Sequence, residues 1–134
     1  MASKAFQIKL KRTYEPALPR DGVRVLVERL WPRGLTKEKA AIALWAKDIS
    51  PSPKLRQWFG HKPERWDKFR RDYWKELENH PEAIAALKDA IKSRTVTFVF
   101  AAKDTGHNSA IVLRDFILSS GIESKLVPPR TKSR

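Results

Sequence analysis

The sequence predicts a single α/β domain whose core is a mainly parallel sheet of about four strands covered by helices. Three observations carry that prediction. Short runs of β-branched and aromatic residues, Phe6–Leu10, Val23–Leu30 and Thr95–Ala102, are set apart by segments of different period. Residues 52 to 94 hold a succession of apolar stripes at helical spacing. The third strand pattern stops at a short polar break, Lys103 to Ser109, and an apolar helical pattern, Ala110 to Leu118, follows at once. Strands that alternate with helices run parallel, because each crossover carries the chain back to the same edge of the sheet.

Taken in order, Phe6-Gln-Ile-Lys-Leu10 alternates apolar and polar residues and suits a strand. Thr13 to Gly22, with Pro16, Pro19 and an Asp-Gly pair, reads as a loop. Val23–Leu30 is a strong strand ended by Pro32 and Gly34, and Thr36 can cap one short helical turn. Ile42 to Ile49 reads either way: its alanines favour helix, whereas Trp45 and the following Ser50-Pro51-Ser52-Pro53 allow a short strand. Ser52 can cap a turn with Pro53 at its first position and an apolar side of Leu55, Trp58 and Phe59, closed by Gly60. Trp66, Phe69, Tyr73 and Leu77 then recur as the buried face of a helix. Asn79-His80-Pro81-Glu82 opens another helix, with Ile84, Leu87 and Ile91 as its stripe, and Glu123 to Val127 suits an edge strand.

With 134 residues, 41% of them hydrophobic, the chain fits one domain over residues 1–134, with a basic N-terminal end and a basic tail from residue 128 to 134. No apolar run approaches the roughly 20 residues that span a bilayer, and Met-Ala-Ser-Lys-Ala-Phe-Gln lacks the apolar centre of a signal peptide. A soluble, cytoplasmic protein with no membrane partner is the expectation. The absence of cysteine excludes a disulfide, a thiolate nucleophile and Cys-ligated zinc.

A formal net charge of +13 directs attention to anionic partners. Lys4, Lys9, Lys11 and Arg12 near the start, with Lys125, Arg130, Lys132 and Arg134 near the end, account for 8 of those charges. The stretch between holds 20 basic against 15 acidic residues. Basic ends either grip nucleic acid or simply keep a protein soluble, and both readings stand at this point.

From Arg29-Leu-Trp-Pro-Arg-Gly-Leu35 onward the sequence resembles the YeaO-like family, small bacterial proteins classed as a domain of unknown function (DUF488). The likeness continues through Ser50-Pro-Ser52, Trp58-Phe-Gly-His61, Pro63-Glu-Arg-Trp66, Ala101-Ala-Lys-Asp104 and His107-Asn108-Ser-Ala110. The resemblance implies a compact α/β domain and brings no assigned reaction with it. More distant members of the wider family have a Cys and a His-Arg pair in the matching strand-to-helix loop. Here that loop contains no Cys, so thiol chemistry does not carry over.

Three constellations are candidates for the site. In the loop 103–109, Asp104 is a natural cap for the helix that follows, Gly106 permits a tight turn, and the helix start faces the edge of the sheet where α/β proteins bind ligands. An anion site is expected there. His107 and Asn108 are its catalytic candidates, as a base or donor and as an orienting amide, and Asp104 and Ser109 complete it. Arg29 and Arg33 form a second set, two guanidiniums able to clamp a phosphate or carboxylate, with Trp31 as a stacking face. The structural alternative pairs one Arg with Glu28 or Asp48 and buries Trp31. The third is His61, either a second polar group over the same edge or a cap for the helix after it. Trp58 and Phe59 read as core.

No His, Asp and Glu set has metal-ligand spacing, and neither a phosphate loop nor a dinucleotide fingerprint appears, so no metal and no cofactor are expected. The helix with Lys62, Arg65, Lys68, Arg70, Arg71 and Lys75 also carries Glu64, Asp67, Asp72 and Glu76, the mixed signs of a solvated face. Two functions follow. One is an enzyme of unknown reaction on a small anionic or phosphate-containing ligand; the other is a nucleic-acid-binding or regulatory module that uses its basic surface and tails.

Overall fold

The structure, a computed structural model, describes residues 7–119. Strands β1 (Ile8–Arg12), β2 (Val23–Leu26), β3 (Leu44–Trp45) and β4 (Val96–Phe100) form one sheet in the order β1-β4-β2-β3, with every neighbouring pair parallel. The helices are α1 (Lys37–Ala40), α2 (Pro53–Phe59), α3 (Trp66–Glu78), α4 (Pro81–Ile91) and α5 (Ser109–Ser119). None of these is long and apolar enough to cross a membrane. Glu123 to Val127, expected as an edge strand, lies outside the described residues.

The caps act as their residue types require. Thr36 Oγ1 accepts from Lys39 N–H, Ser52 Oγ accepts from Leu55 N–H, and Gly60 closes α2 with a left-handed φ of 52°. The ambiguous segment 42–49 resolves into the two residues of β3 and a 3-10 turn, Lys47–Ile49. Strand β2 is shorter than its sequence pattern. Pairing stops at Leu26, with Val27 N–H donating once more to Val99 O, because the next donor on β4's side, Ala101 N–H, turns to the Glu28 carboxylate at 2.8 Å.

One face of the sheet carries Ile8, Val25, Val96, Phe98 and Phe100, and these pack with the buried sides of α2 to α5 into a single apolar cluster. The opposite face is closed differently. There Arg24 and Lys11 both reach Asp21, at 2.8 and 3.1 Å, Arg24 Nε donates to Ala40 O in α1, and Thr97 Oγ1 donates to Asp21 O. Gly22 makes this closure possible: its φ is +68°, and a Cβ there would stand 2.1 Å from Thr95 O.

Three of the four basic residues counted in the N-terminal end therefore belong to the fold. Lys9 Nζ donates to Arg20 O, Lys11 pairs with Asp21, and Arg12 donates to Ala101 O and Ala102 O. Reading this end as a free basic tail is corrected: alternation along β1 puts long basic stems at its margin, where nearby carbonyls and a carboxylate hold them.

Helix α3 also refines the expected face. Phe69 and Tyr73 are 2% and 0% exposed, whereas Trp66 at the helix start is only half-buried. Truncating Phe69 to Ala should cost about 3–5 kcal/mol, and Trp66→Ala less, because part of the Trp66 ring stays in contact with solvent. Urea denaturation of the two variants checks the ranking; an equal loss would mean that Trp66 is as deeply packed as Phe69.

Candidate functional site

Parallel strands all end at one edge, so the segments that leave β1, β2 and β4 converge there. They enclose an open cleft of about 700 Å³, with Tyr14 from the end of β1, Glu28 to Arg33 beyond β2, and Ala101, Ala102 and His107 to Ser109 beyond β4. Helix α2 and its C-terminal turn supply the fourth wall through Arg56, Gln57 and His61. Every sequence-predicted site residue except Asp104 lines this cleft, and Asp104 reaches it through His107.

The loop 103–109 is folded around Asp104, but not as the sequence suggests. Asp104 Oδ1 accepts from Gly106 N–H and His107 N–H, and its Oδ2 lies 2.9 Å from His107 Nδ1. Asp104 thus shapes the loop and orients the imidazole. The cap of α5 is Asn108: its Oδ1 accepts from Ile111 N–H at 3.1 Å, and its Nδ2 donates to Asp104 O. The expected cap is corrected by one helical turn, since Asn108 sits immediately before the helix and Asp104 does not. Both ends of the Asn108 amide serve backbone groups, and Ser109 Oγ donates to Val27 O. His107 is different. With Nδ1 on Asp104 and its ring edge-on to Trp66 at 5.2 Å, the imidazole is fixed, and Nε2 has no partner among the described residues.

The two arginines beyond β2 part company. Arg29 donates from Nε to Pro51 O and from Nη2 to Ser50 O, which ties the end of β2 to the start of α2. It forms no salt bridge with Glu28 or Asp48, so the expected ion pair is corrected: backbone carbonyls take the guanidinium instead. Arg33 is exposed, its guanidinium has no partner among the described residues, and its carbonyl accepts from Tyr14 OH at 2.9 Å. Trp31 is half-buried on the cleft wall, with Nε1 donating to Leu35 O and its ring edge-on to Trp45. His61 follows Gly60 in the left-handed region with φ 59°, a conformation that a non-glycine residue adopts at a cost and that gathers at ligand sites.

Two residues that sequence reasoning left out complete the wall. Glu28 had been considered only as an arginine partner, yet it lies on the cleft with Oε2 held by Ala101 N–H. Burial holds its carboxyl above the ordinary 4.5, although Ala101 N–H and the charges of Arg56 and His61 pull the other way. Arg56 stands on α2, a helix with no acidic residue in its first turn, and its guanidinium has no hydrogen-bond partner among the described residues. A glutamate ending an apolar strand, and a helix of unbalanced positive charge, were the available signals. Among the described residues no three His, Asp or Glu side chains come close enough to hold a metal ion.

The family described as "Inactive DUF488-N3 subclade" matches residues 7–132. The "Uncharacterized protein YeaO" of Escherichia coli (strain K12) is 41% identical over 112 residues, 84% of this chain and 97% of that protein. The "Uncharacterized protein Rv3073c" of Mycobacterium tuberculosis (strain ATCC 25618 / H37Rv) and "Uncharacterized protein Mb3100c" of Mycobacterium bovis are each 38% identical over 111 residues, 83% of this chain and 93% of theirs. No solved structure matches.

The two carboxylates of the site give opposite pH signatures. Gly106 N–H, then the His107 ring, holds Asp104 below the ordinary 3.8, so its contribution is fully present above that value and is lost as pH falls through the lowered one. Glu28 is raised, so its contribution is present below 4.5 and is lost as pH rises through the higher value. In thermal melts from about pH 3 to pH 7, Asp104→Asn should approach the unmodified protein toward acid, whereas Glu28→Gln should gain on it as pH rises. Parallel curves would contradict both assignments.

Proposed function

Because this chain belongs to the inactive DUF488-N3 subclade of the YeaO-like proteins, we propose that its cleft binds a small phosphate- or carboxylate-bearing ligand without turning it over. The observation that carries the reading is the convergence of Arg33, Arg56, His61 and His107, from three separate segments, on one cleft at the carboxyl edge of the sheet. The guanidiniums of Arg33 and Arg56 have no hydrogen-bond partner among the described residues, and the fixed His107 ring adds a directed nitrogen. Side chains of this kind accept oxyanions through charge-assisted hydrogen bonds.

What the cleft lacks supports binding over catalysis. The chain has no cysteine, and the Ser109 hydroxyl is spent on Val27 O, so His107 has no adjacent nucleophile to activate. His107 and Asn108, expected as catalytic, act in this reading as a ligand contact and as the cap that fixes the loop. The nucleic-acid alternative loses most of the N-terminal basic end, since Lys9, Lys11 and Arg12 already hold partners within the fold.

Titration with inorganic phosphate should move the imidazole signals of His107 in NMR spectra. Arg33→Ala and Arg56→Ala should each weaken binding about tenfold or more, as loss of a charged hydrogen bond does. Replacing Lys125, Arg130, Lys132 and Arg134 by Gln should leave phosphate affinity unchanged. If those four changes abolish binding while the arginine variants keep it, and if oligonucleotide affinity falls with salt at a log-log slope of about 0.7 per contacted phosphate, the nucleic-acid reading replaces this one.

A further inference from the structure

We propose that the ligand of this cleft is a nucleotide, its phosphate on the cationic wall and the N–H edge of its base on Glu28; the inference rests on the anion-binding reading above. It starts from a mismatch. A cleft that took only an inorganic anion would gain nothing from a carboxylate on its wall, and Glu28 would repel that anion. Glu28 is also held in place. Its Oε2 accepts from Ala101 N–H at 2.8 Å, and its backbone carbonyl accepts from Trp45 Nε1 at 2.7 Å. Oε1 has no hydrogen-bond partner among the described residues, and the residue lines the cleft. A fixed carboxylate with one unused oxygen calls for a donor on the ligand, while Arg33, Arg56, His61 and His107 call for an anion. The ligand therefore carries both groups.

Two aromatic residues on the same cleft have their polar tips fixed. Tyr14 is 43% exposed, its hydroxyl is fixed on Arg33 O, and the Arg12 guanidinium lies 5.3 Å from its ring centroid on one side. Trp31 is anchored by Leu35 O. Aromatic rings pinned by their polar tips at the mouth of a cleft offer faces for stacking at little entropic cost. A cleft of about 700 Å³ falls within the size range of small-molecule sites. A planar base supplies the stacking surface, and one with adjacent N–H donors, as in guanine, satisfies a carboxylate best.

The test uses the full chain and three probes: inorganic phosphate, ribose 5-phosphate and guanosine 5′-monophosphate, each measured by calorimetry. Guanosine 5′-monophosphate should bind at least about tenfold more tightly than ribose 5-phosphate, the margin of a charged hydrogen bond. Glu28→Gln should remove that margin, because its amide oxygen takes Ala101 N–H and leaves an NH₂ facing the base donors, while phosphate and ribose 5-phosphate bind as well or better. Tyr14→Ala, an exposed change that also frees the Arg33 carbonyl, should weaken the nucleotide several-fold more than ribose 5-phosphate, which keeps the test independent of any folding defect at Glu28. If the nucleotide and ribose 5-phosphate bind equally and neither variant separates them, the nucleotide inference is overturned and the anion site stands. If none of the three probes binds, the anion reading itself fails and this inference falls with it.

Discussion

Because β4 is hydrogen-bonded on one side to β1 and on the other to β2, and all five of its residues are buried, it has no room for a polar side chain without a dedicated partner. Its one polar residue, Thr97, meets that condition by donating to Asp21 O. Polar chemistry is therefore displaced to the two ends of the strand. At the amino end the loop before β2 folds back over the sheet; at the carboxyl end the chain leaves β4 through the loop 103–109. The register of this strand decides which residues meet at each end, since it aligns Val23 and Ile8 with Val96 and sends Glu28 up to Ala101.

The two ends manage their charges in opposite ways, and the contrast separates architecture from site. Burial alone would raise the Asp21 carboxyl, but hydrogen bonds from Leu18 N–H, Lys11 and Arg24 outweigh it and hold it low. That network ties β1 and β2 to the loop, and breaking such a buried pair typically costs about 3–5 kcal/mol. At the carboxyl end, Arg12 and Arg29 likewise spend their guanidiniums on carbonyls and brace the cleft. Arg33 and Arg56 do not. Guanidiniums without hydrogen-bond partners that line a concavity are suited to meet an anionic ligand there.

Much of the fold was legible because it rests on local rules. The helix starts at Thr36, Ser52 and Pro81 and the strand at 96–100 follow from capping chemistry and period. The end of β2 was not legible, because it depends on a hydrogen bond between Glu28 and Ala101, 73 residues away. The misplaced cap has a local cause. From sequence, Asp104 and Asn108 are equally good N-cap residues, and only the turn held by Gly106 and His107 decides that Asp104 belongs to the loop. Arg29 and Arg33 looked like a pair from their spacing, but the carbonyls of Ser50 and Pro51 claimed one of them.

Glu28 was the hardest residue to see, and the reason bears on how the cleft works. In sequence it is one acid beside Arg29 in an otherwise apolar strand, which reads as a local ion pair. In the fold, Arg29 turns away to β3's side of the molecule and leaves Glu28 facing Arg56 and His61 across the cleft. A carboxylate in that position lowers the positive potential of the wall, so it works against simple anion capture and in favour of a ligand with charge at one end and donors at the other. Burial adds to this selectivity: it penalises the bare carboxylate, so a ligand donor that replaces the lost hydration relieves a cost the empty cleft carries. The geometry thus rewards a bipolar ligand twice, once at each end, and a plain anion only once.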